Sequence, residues 1–238
     1  MLNQNENKID LSVTDLIVVI LLILHIMKRV IAICGYKRSG KDTIAEYLRN
    51  QSDGNAVICK IANKLKEACS AIFGFTPDQL ETDMKDSIDP VWQISPRSAM
   101  QYLGTDIMQY DIQRVIPGIG RNFWIKRFIY HIETIHKTTP YIIISDLRFK
   151  HEYEELYKLY GSNLMVIKVY RNENIDENID THISEREWKD IPHSIVVNNN
   201  STLNDLYSTV DNIKNAIIPN SIPMSKIIPY SQLAKLPF

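Results

Sequence analysis

Net charge is the first thing this sequence lacks. Its 238 residues hold 27 Lys and Arg against 28 Asp and Glu. Without a basic excess there is no electrostatic footprint for DNA or RNA, so no direct nucleic-acid contact is expected. Cysteine is scarce as well. Cys34, Cys59 and Cys69 are odd in number and lack the paired spacing of a metal site. They read as free thiols in a reducing compartment, and a cytoplasmic location is expected. A long apolar run is also missing. The longest, Leu16–Met27, has twelve residues, whereas a bilayer span needs about 20. No small-residue cleavage site follows it and its leading segment is not basic, so neither a membrane helix nor a secretory signal is expected. Internal repeats are absent.

What is present is a chain of ordinary globular composition, 45% hydrophobic and 23% charged, long enough for one domain with an appendage. It is organised around Gly35-Tyr36-Lys37-Arg38-Ser39-Gly40-Lys41-Asp42-Thr43. Val30–Cys34 before it is short, apolar and β-branched, and reads as a buried strand. Ile44–Leu48 after it reads as the first turns of a helix. Strand, glycine loop and helix are the context of a phosphate-binding P-loop, and GYKRSGK fits G-x-x-x-x-G-K. The glycines let the backbone bend close to an anion and aim N–H groups at it, and the helix dipole adds partial positive charge. Lys41 is placed to reach the β- and γ-phosphates. The pattern departs at its end, where Asp42 stands in the usual Ser/Thr position and the hydroxyl follows at Thr43.

Residues 1–27 read as an extension before a domain beginning near Met27, with an interfacial anchor or a packing helix as the alternative. Ala56–Ala62 reads as a second strand and Asn63–Phe73 as a helix stopped by Gly74. The polar stretch Thr76–Asp89 reads as a surface excursion. Ser95-Pro96-Arg97 opens a helix, with serine at the cap and proline in the first turn. Asn122–Thr134 is helical, with Trp124, Phe128 and Ile132 spaced by four. Pro140–Ser145 is a strand ending in Asp146-Leu147-Arg148. His151–Tyr160 is a helix, Leu164–Tyr170 a strand, Ser194–Val197 the last strand and Leu203–Ile217 the last helix. The expected fold class is therefore α/β, with a mostly parallel sheet flanked by helices. The expected division is an extension at 1–27, a P-loop domain at 28–217 and a tail at 218–238.

Four blocks then resemble a known family in the right order. They are GYKRSGKDT, the helix from Arg97 through Met100-Gln101-Tyr102-Leu103-Gly104-Thr105-Asp106, the strand end Ser145-Asp146-Leu147-Arg148 with His151-Glu152, and Asp180–Glu185 with Val196–Asn199. They resemble the deoxynucleoside monophosphate kinases of the bacteriophage type, over roughly residues 28–215, and aspartate after the lysine is part of that likeness. The resemblance implies a P-loop NTPase fold of the nucleoside monophosphate kinase type with a lid, here about 171–190. It implies transfer of the ATP γ-phosphoryl group to a deoxynucleoside 5′-monophosphate, with Mg2+, in a large DNA virus and hence the host cytoplasm. A homodimer is open.

The chemistry assigns provisional roles. Lys41, Arg148 and Arg171 are the catalytic candidates, Arg171 as the start of a lid that excludes water. Gly35, Arg38, Ser39, Gly40, Lys41, Asp42 and Thr43 form the ATP-binding set, Arg38 facing ATP by the resemblance. Magnesium is assigned to Thr43 or to Asp42, the latter directly or through water. By the resemblance Lys37 faces the acceptor, and Lys66 is a further acceptor-binding candidate. Arg97 matches a phosphate with its planar fork, and Gln101 lies on the same helix face. Gly104 and Thr105 line the acceptor or merely end the helix, and Trp124 stacks a base or fills the core. Asp146 contacts the acceptor sugar or a metal-bound water, Arg148 a phosphate, and Glu152 is the weakest of the set. His182 and Glu185 read as lid-packing or capping groups, and Asn198 and Asn199 as an adenine contact or a turn. Two other readings stand beside this one: a phosphomevalonate kinase-like enzyme, whose loop is similar, and a non-catalytic nucleotide-binding interaction protein.

Overall fold

The computed structural model describes residues 12, 28–171, 183 and 186–217. Leu16–Met27, His182, Glu185, most of the 171–190 span and the 218–238 tail lie outside the described residues.

Five short apolar runs form the strands: β1 (Arg29–Gly35), β2 (Ala56–Ile58), β3 (Tyr141–Ile144), β4 (Leu164–Tyr170) and β5 (Ile195–Asn198). All pair in parallel, in the order β2-β3-β1-β4-β5. In the centre, Ile31 lies between Ile143 and Met165. Strands buried on both faces need unbroken apolar sequence rather than alternation, which Val30–Cys34 and Ile142–Ile144 supply.

Helices cover both faces. Ile31, Ile33, Ile143, Ile167 and Val169 pack against Ile44 and Leu48 of α1 (Lys41–Asn50) and Leu206 and Val210 of α7 (Leu203–Ile217). Val30, Ala32, Ile142, Ile144 and Val166 pack against Ile125, Phe128 and Ile132 of α5 (Phe123–Ile135) and Leu156 of α6 (Lys150–Tyr160). At the chain's entry into β1, buried Lys28 pairs with Glu133, which also accepts from the Tyr160 hydroxyl. No helix among the described residues is long and apolar enough to cross a membrane.

The remaining α-helices pack on one another as a wall with a small core of its own. They are α2 (Asn63–Phe73), α3 (Pro77–Glu81) and α4 (Pro96–Gln101). Two expectations need correction there, and a third gains detail. Strand β2 stops at Ile58, because the chain turns into α2 soon after the Cys59 N–H bonds the Ile143 carbonyl. The Thr76–Asp89 stretch is a surface excursion as expected, and it carries a helix: Thr76 and Gln79 cap α3 reciprocally, and Leu80 is buried with Cys69, Phe75 and Ala99. One leucine is too weak a periodic signal to reveal a five-residue helix. Finally, α4 runs on as a π-helix from Tyr102 to Tyr110. Its wide turns hold Gly104 tight against Leu65 of α2, where a Cβ would fall 2.6 Å from the leucine.

Candidate active site

The carboxyl ends of β1, β3, β4 and β5 share one edge of the sheet, and the glycine loop leaves β1 there. Gly35 has φ +152°, and a side chain on it would strike the Val169 carbonyl of β4. Gly40 has φ +101°, and a Cβ would lie 2.5 Å from the Asn199 amide. Glycine is thus required at both positions. Asn199, just past β5, donates from its buried side chain to the Ser39 carbonyl at 2.9 Å. Its own N–H donates to the Tyr170 carbonyl at 2.8 Å, so it ties the loop to the ends of β4 and β5. Between the glycines Arg38 adopts φ +61°, in the left-handed region.

Lys41 is buried and folds back under the loop. Its Nζ donates to the carbonyls of Gly35 at 3.0 Å and Tyr36 at 2.6 Å. Helix α1 begins behind Gly40 with no side-chain cap, so its first-turn N–H groups are available to an anion. Arg171 reaches the same loop, its Nη1 3.5 Å from the Arg38 carbonyl.

Asp42 does not stand alone. Its Oδ1 accepts from the Ser145 hydroxyl at 2.8 Å and pairs with Lys60 Nζ at 2.8 Å. Burial pushes the carboxyl up, but the hydrogen bonds from Lys60 and Ser145 outweigh it and leave the pKa below its usual value. Burial likewise pulls Lys60 down, and Asp42 more than offsets that. Asp42 and the Thr43 hydroxyl are hard oxygen donors of the kind magnesium takes. Among the described residues no cluster of three His, Cys, Asp or Glu could hold a metal by itself. A nucleotide metal needs only one or two protein oxygens besides phosphate, so this donor set fits.

Asp146 points elsewhere. Its two oxygens accept the N–H groups of Ile61 and Ala62 at 2.9 and 3.0 Å, so it caps the start of α2. Glu152 is buried in α6 and accepts the N–H groups of Arg148 and Phe149, both at 3.0 Å. Burial raises its pKa to about 7 against the pull of those two bonds. Glu152 therefore holds the Asp146-Leu147-Arg148 turn, and Asp146 ties that turn to the start of α2. Trp124 is half-buried, with its indole N–H on the Gly104 carbonyl at 2.9 Å and its ring against the core. Thr105 is buried beside Gly104, and Gln101 is half-buried on α4.

One acidic segment pairs two cations of the α2–α4 wall and one of the glycine loop. Lys66 meets Glu81, Arg38 meets Asp83 at 3.3 Å, and Arg97 meets Asp86 through Nε and Nη2. The 3-10 turn Asp83–Asp86 thus joins the glycine loop to Arg97. Lys37, next to Arg38, lies over the Tyr36 ring at 5.7 Å. Half-buried Lys85 sits among these cations. Burial, then Arg97 and Lys66, hold its pKa below the usual lysine value, and among the described residues its ammonium makes no hydrogen bond or ion pair.

Sequence reasoning missed Lys60, Ser145 and Lys85. Lys60 and Ser145 were accessible through their place just after parallel strands, where ligands gather. Lys85 carried no signal, because nothing marked its segment as part of the wall.

Comparison with known proteins follows this geometry. A family model described as deoxynucleotide monophosphate kinase matches residues 70–210. That span begins after the glycine loop, so the loop's reading rests on its own residues. A protein of Acanthamoeba polyphaga mimivirus, provisionally named deoxynucleotide monophosphate kinase, is 31% identical over 186 residues, 76% of this chain and 93% of the relative. The deoxynucleotide monophosphate kinases of Enterobacteria phage T4 and Escherichia phage RB69 are 26% and 30% identical over 132 and 129 residues. Those matches cover 55% and 54% of this chain and 49% and 47% of the phage proteins.

Proposed function

The chain belongs to the deoxynucleotide monophosphate kinase family, and on that premise we propose that it moves the γ-phosphoryl group of ATP to a deoxynucleoside 5′-monophosphate across the glycine-loop edge of the sheet. It is a kinase of deoxynucleoside monophosphates, which sets aside phosphomevalonate as acceptor and a purely binding role. The finer reading is of a P-loop kinase core with a lid rooted at Arg171.

Phosphoryl transfer needs two anions aligned and their charge offset more than it needs covalent help. Gly35–Lys41 serves the donor. Lys41 rests on two neutral carbonyls, and exchanging them for phosphate oxygens gives a stronger, charge-assisted contact. The uncapped first turn of α1 adds N–H donors that need no rearrangement. Asp42 and Thr43 would hold magnesium, which when bound supplies charge neutralisation at the phosphate oxygens.

The acceptor falls to the α2–α4 wall. Arg97 presents the fork that matches a monophosphate, with Lys66 and Lys85 as point charges near it and Lys37 across the Asp83–Asp86 turn. Gln101, on Arg97's helix, is the candidate to read the base. Asp146 serves by anchoring the helix that carries Lys66, and Glu152 by holding the backbone of Arg148. Arg148 and Arg171 are left for the charge that develops during transfer.

The observation that carries this reading is Lys41 folded under a glycine loop that Asn199 pins at a helix start. A coupled ADP-release assay on the full chain, with each deoxynucleoside monophosphate in turn, tests it. Acceptor-dependent ADP formation is expected with one or more of them. No ADP from any of them, or ADP at the same rate without acceptor, would overturn it.

A further inference from the structure

Asp42, Ser145 and Lys60 form a network that the reading above leaves unexplained. Its two donors differ in kind. Ser145 is 1% exposed at the end of β3, so its hydroxyl is held by the sheet, and it is neutral. Lys60 follows β2 on a flexible stem, its side chain 31% exposed, and it is cationic. Both meet the same oxygen, Oδ1, and the Asp42 side chain remains 68% exposed at the start of α1. A hydroxyl on one carboxylate oxygen fixes orientation and leaves the negative charge available to a metal. An ammonium on it offsets that charge, and a divalent cation arriving there must displace it.

We propose that Ser145 and Lys60 are positioning residues that set how Asp42 receives a divalent cation, Ser145 by orienting the carboxylate and Lys60 by competing for it. The inference rests on the donor-site reading, and it assigns the metal to Asp42 in preference to Thr43. It makes the two residues act with opposite sign, which a merely structural network does not do.

The test is calorimetric binding of a non-hydrolysable ATP analogue to the full chain, without metal and across a Mg2+ series. The readout is the gain in analogue affinity that Mg2+ brings. Ser145→Ala should cut that gain about tenfold, the usual scale for a lost partner of a metal ligand. Lys60→Gln should raise it by about threefold or more, as expected when a surface-accessible competing charge is removed, and Lys60→Arg should stay near wild type. In an Asp42→Asn background both effects should vanish, the sign of a shared ligand. Thermal midpoints measured alongside separate a metal effect from a folding one. A fall in both single variants, or no change in either, would overturn the proposal. If the analogue binds none of the proteins even at high Mg2+, the donor-site reading fails first.

Discussion

The two halves of the candidate site are built from different materials. The donor half is backbone: glycine dihedrals, loop carbonyls, an uncapped helix start and a buried asparagine clamp. The acceptor half is side chain: Lys66 and Arg97, each paired to a carboxylate of the Glu81–Asp86 segment at the surface. Backbone dipoles do not need to be freed before they bind an anion. Side-chain cations held by carboxylates do, and each exchange reduces the net gain. The donor half should therefore bind with little rearrangement, and the acceptor half should be tuned by its counter-ions.

The largest expected effect lies in the donor half. Lys41→Ala should lower kcat/KM by about a hundredfold or more, roughly 3 kcal/mol of transition-state stabilisation, with the thermal midpoint little changed. Steady-state turnover checks it, and retention of more than a tenth of wild-type activity would remove Lys41 from its role.

The seam between the halves supplies the next effect. Buried Glu152, with a folded pKa of about 7, keeps its proton over a range in which the unfolded chain has released it. The unfolded state then binds fewer protons, so stability should fall as pH rises from about 4.5 to 7, by at most roughly 3 kcal/mol. Denaturant unfolding at several pH values should show that slope, and Glu152→Gln should flatten it. An unchanged slope in the variant would assign it to other groups.

In the acceptor half, Arg97→Ala should raise the acceptor KM about ten- to a hundredfold, the worth of a charge-assisted bidentate contact. Lysine should recover little, since a point charge does not reproduce the fork. The smallest effect belongs to its counter-ion. Asp86 is half exposed, and exposed pairs contribute up to about 1 kcal/mol. Asp86→Asn should lower the acceptor KM by about two- to fivefold. A rise would make Asp86 a support for Arg97 rather than its competitor.

The same contrast explains what the sequence revealed. The donor loop is contiguous, and its glycines are needed by conformations that a spaced motif records, so it could be read directly. Strand runs such as Leu164–Tyr170 and the helix Asn63–Phe73 were equally plain, because burial on two faces or one leaves a local pattern. The acceptor wall is assembled from pairs distant in sequence. Nothing local says that Arg97 meets Asp86, that Lys66 meets Glu81, or that both oxygens of Asp146 are taken by backbone N–H groups. The nine-residue π-helix was hidden for a related reason: nothing in the local sequence marks its wider turns, which show only where Gly104 fits against Leu65.

The most direct measurement of the central claim is the separate calorimetric affinity of ATP and of the preferred deoxynucleoside monophosphate for the wild-type chain and for Arg97→Ala. The account predicts that the variant binds the monophosphate about ten- to a hundredfold more weakly while its ATP affinity stays within about twofold of wild type. An equal or larger loss for ATP would place Arg97 on the donor side and contradict the division of the site into a backbone half and a side-chain half.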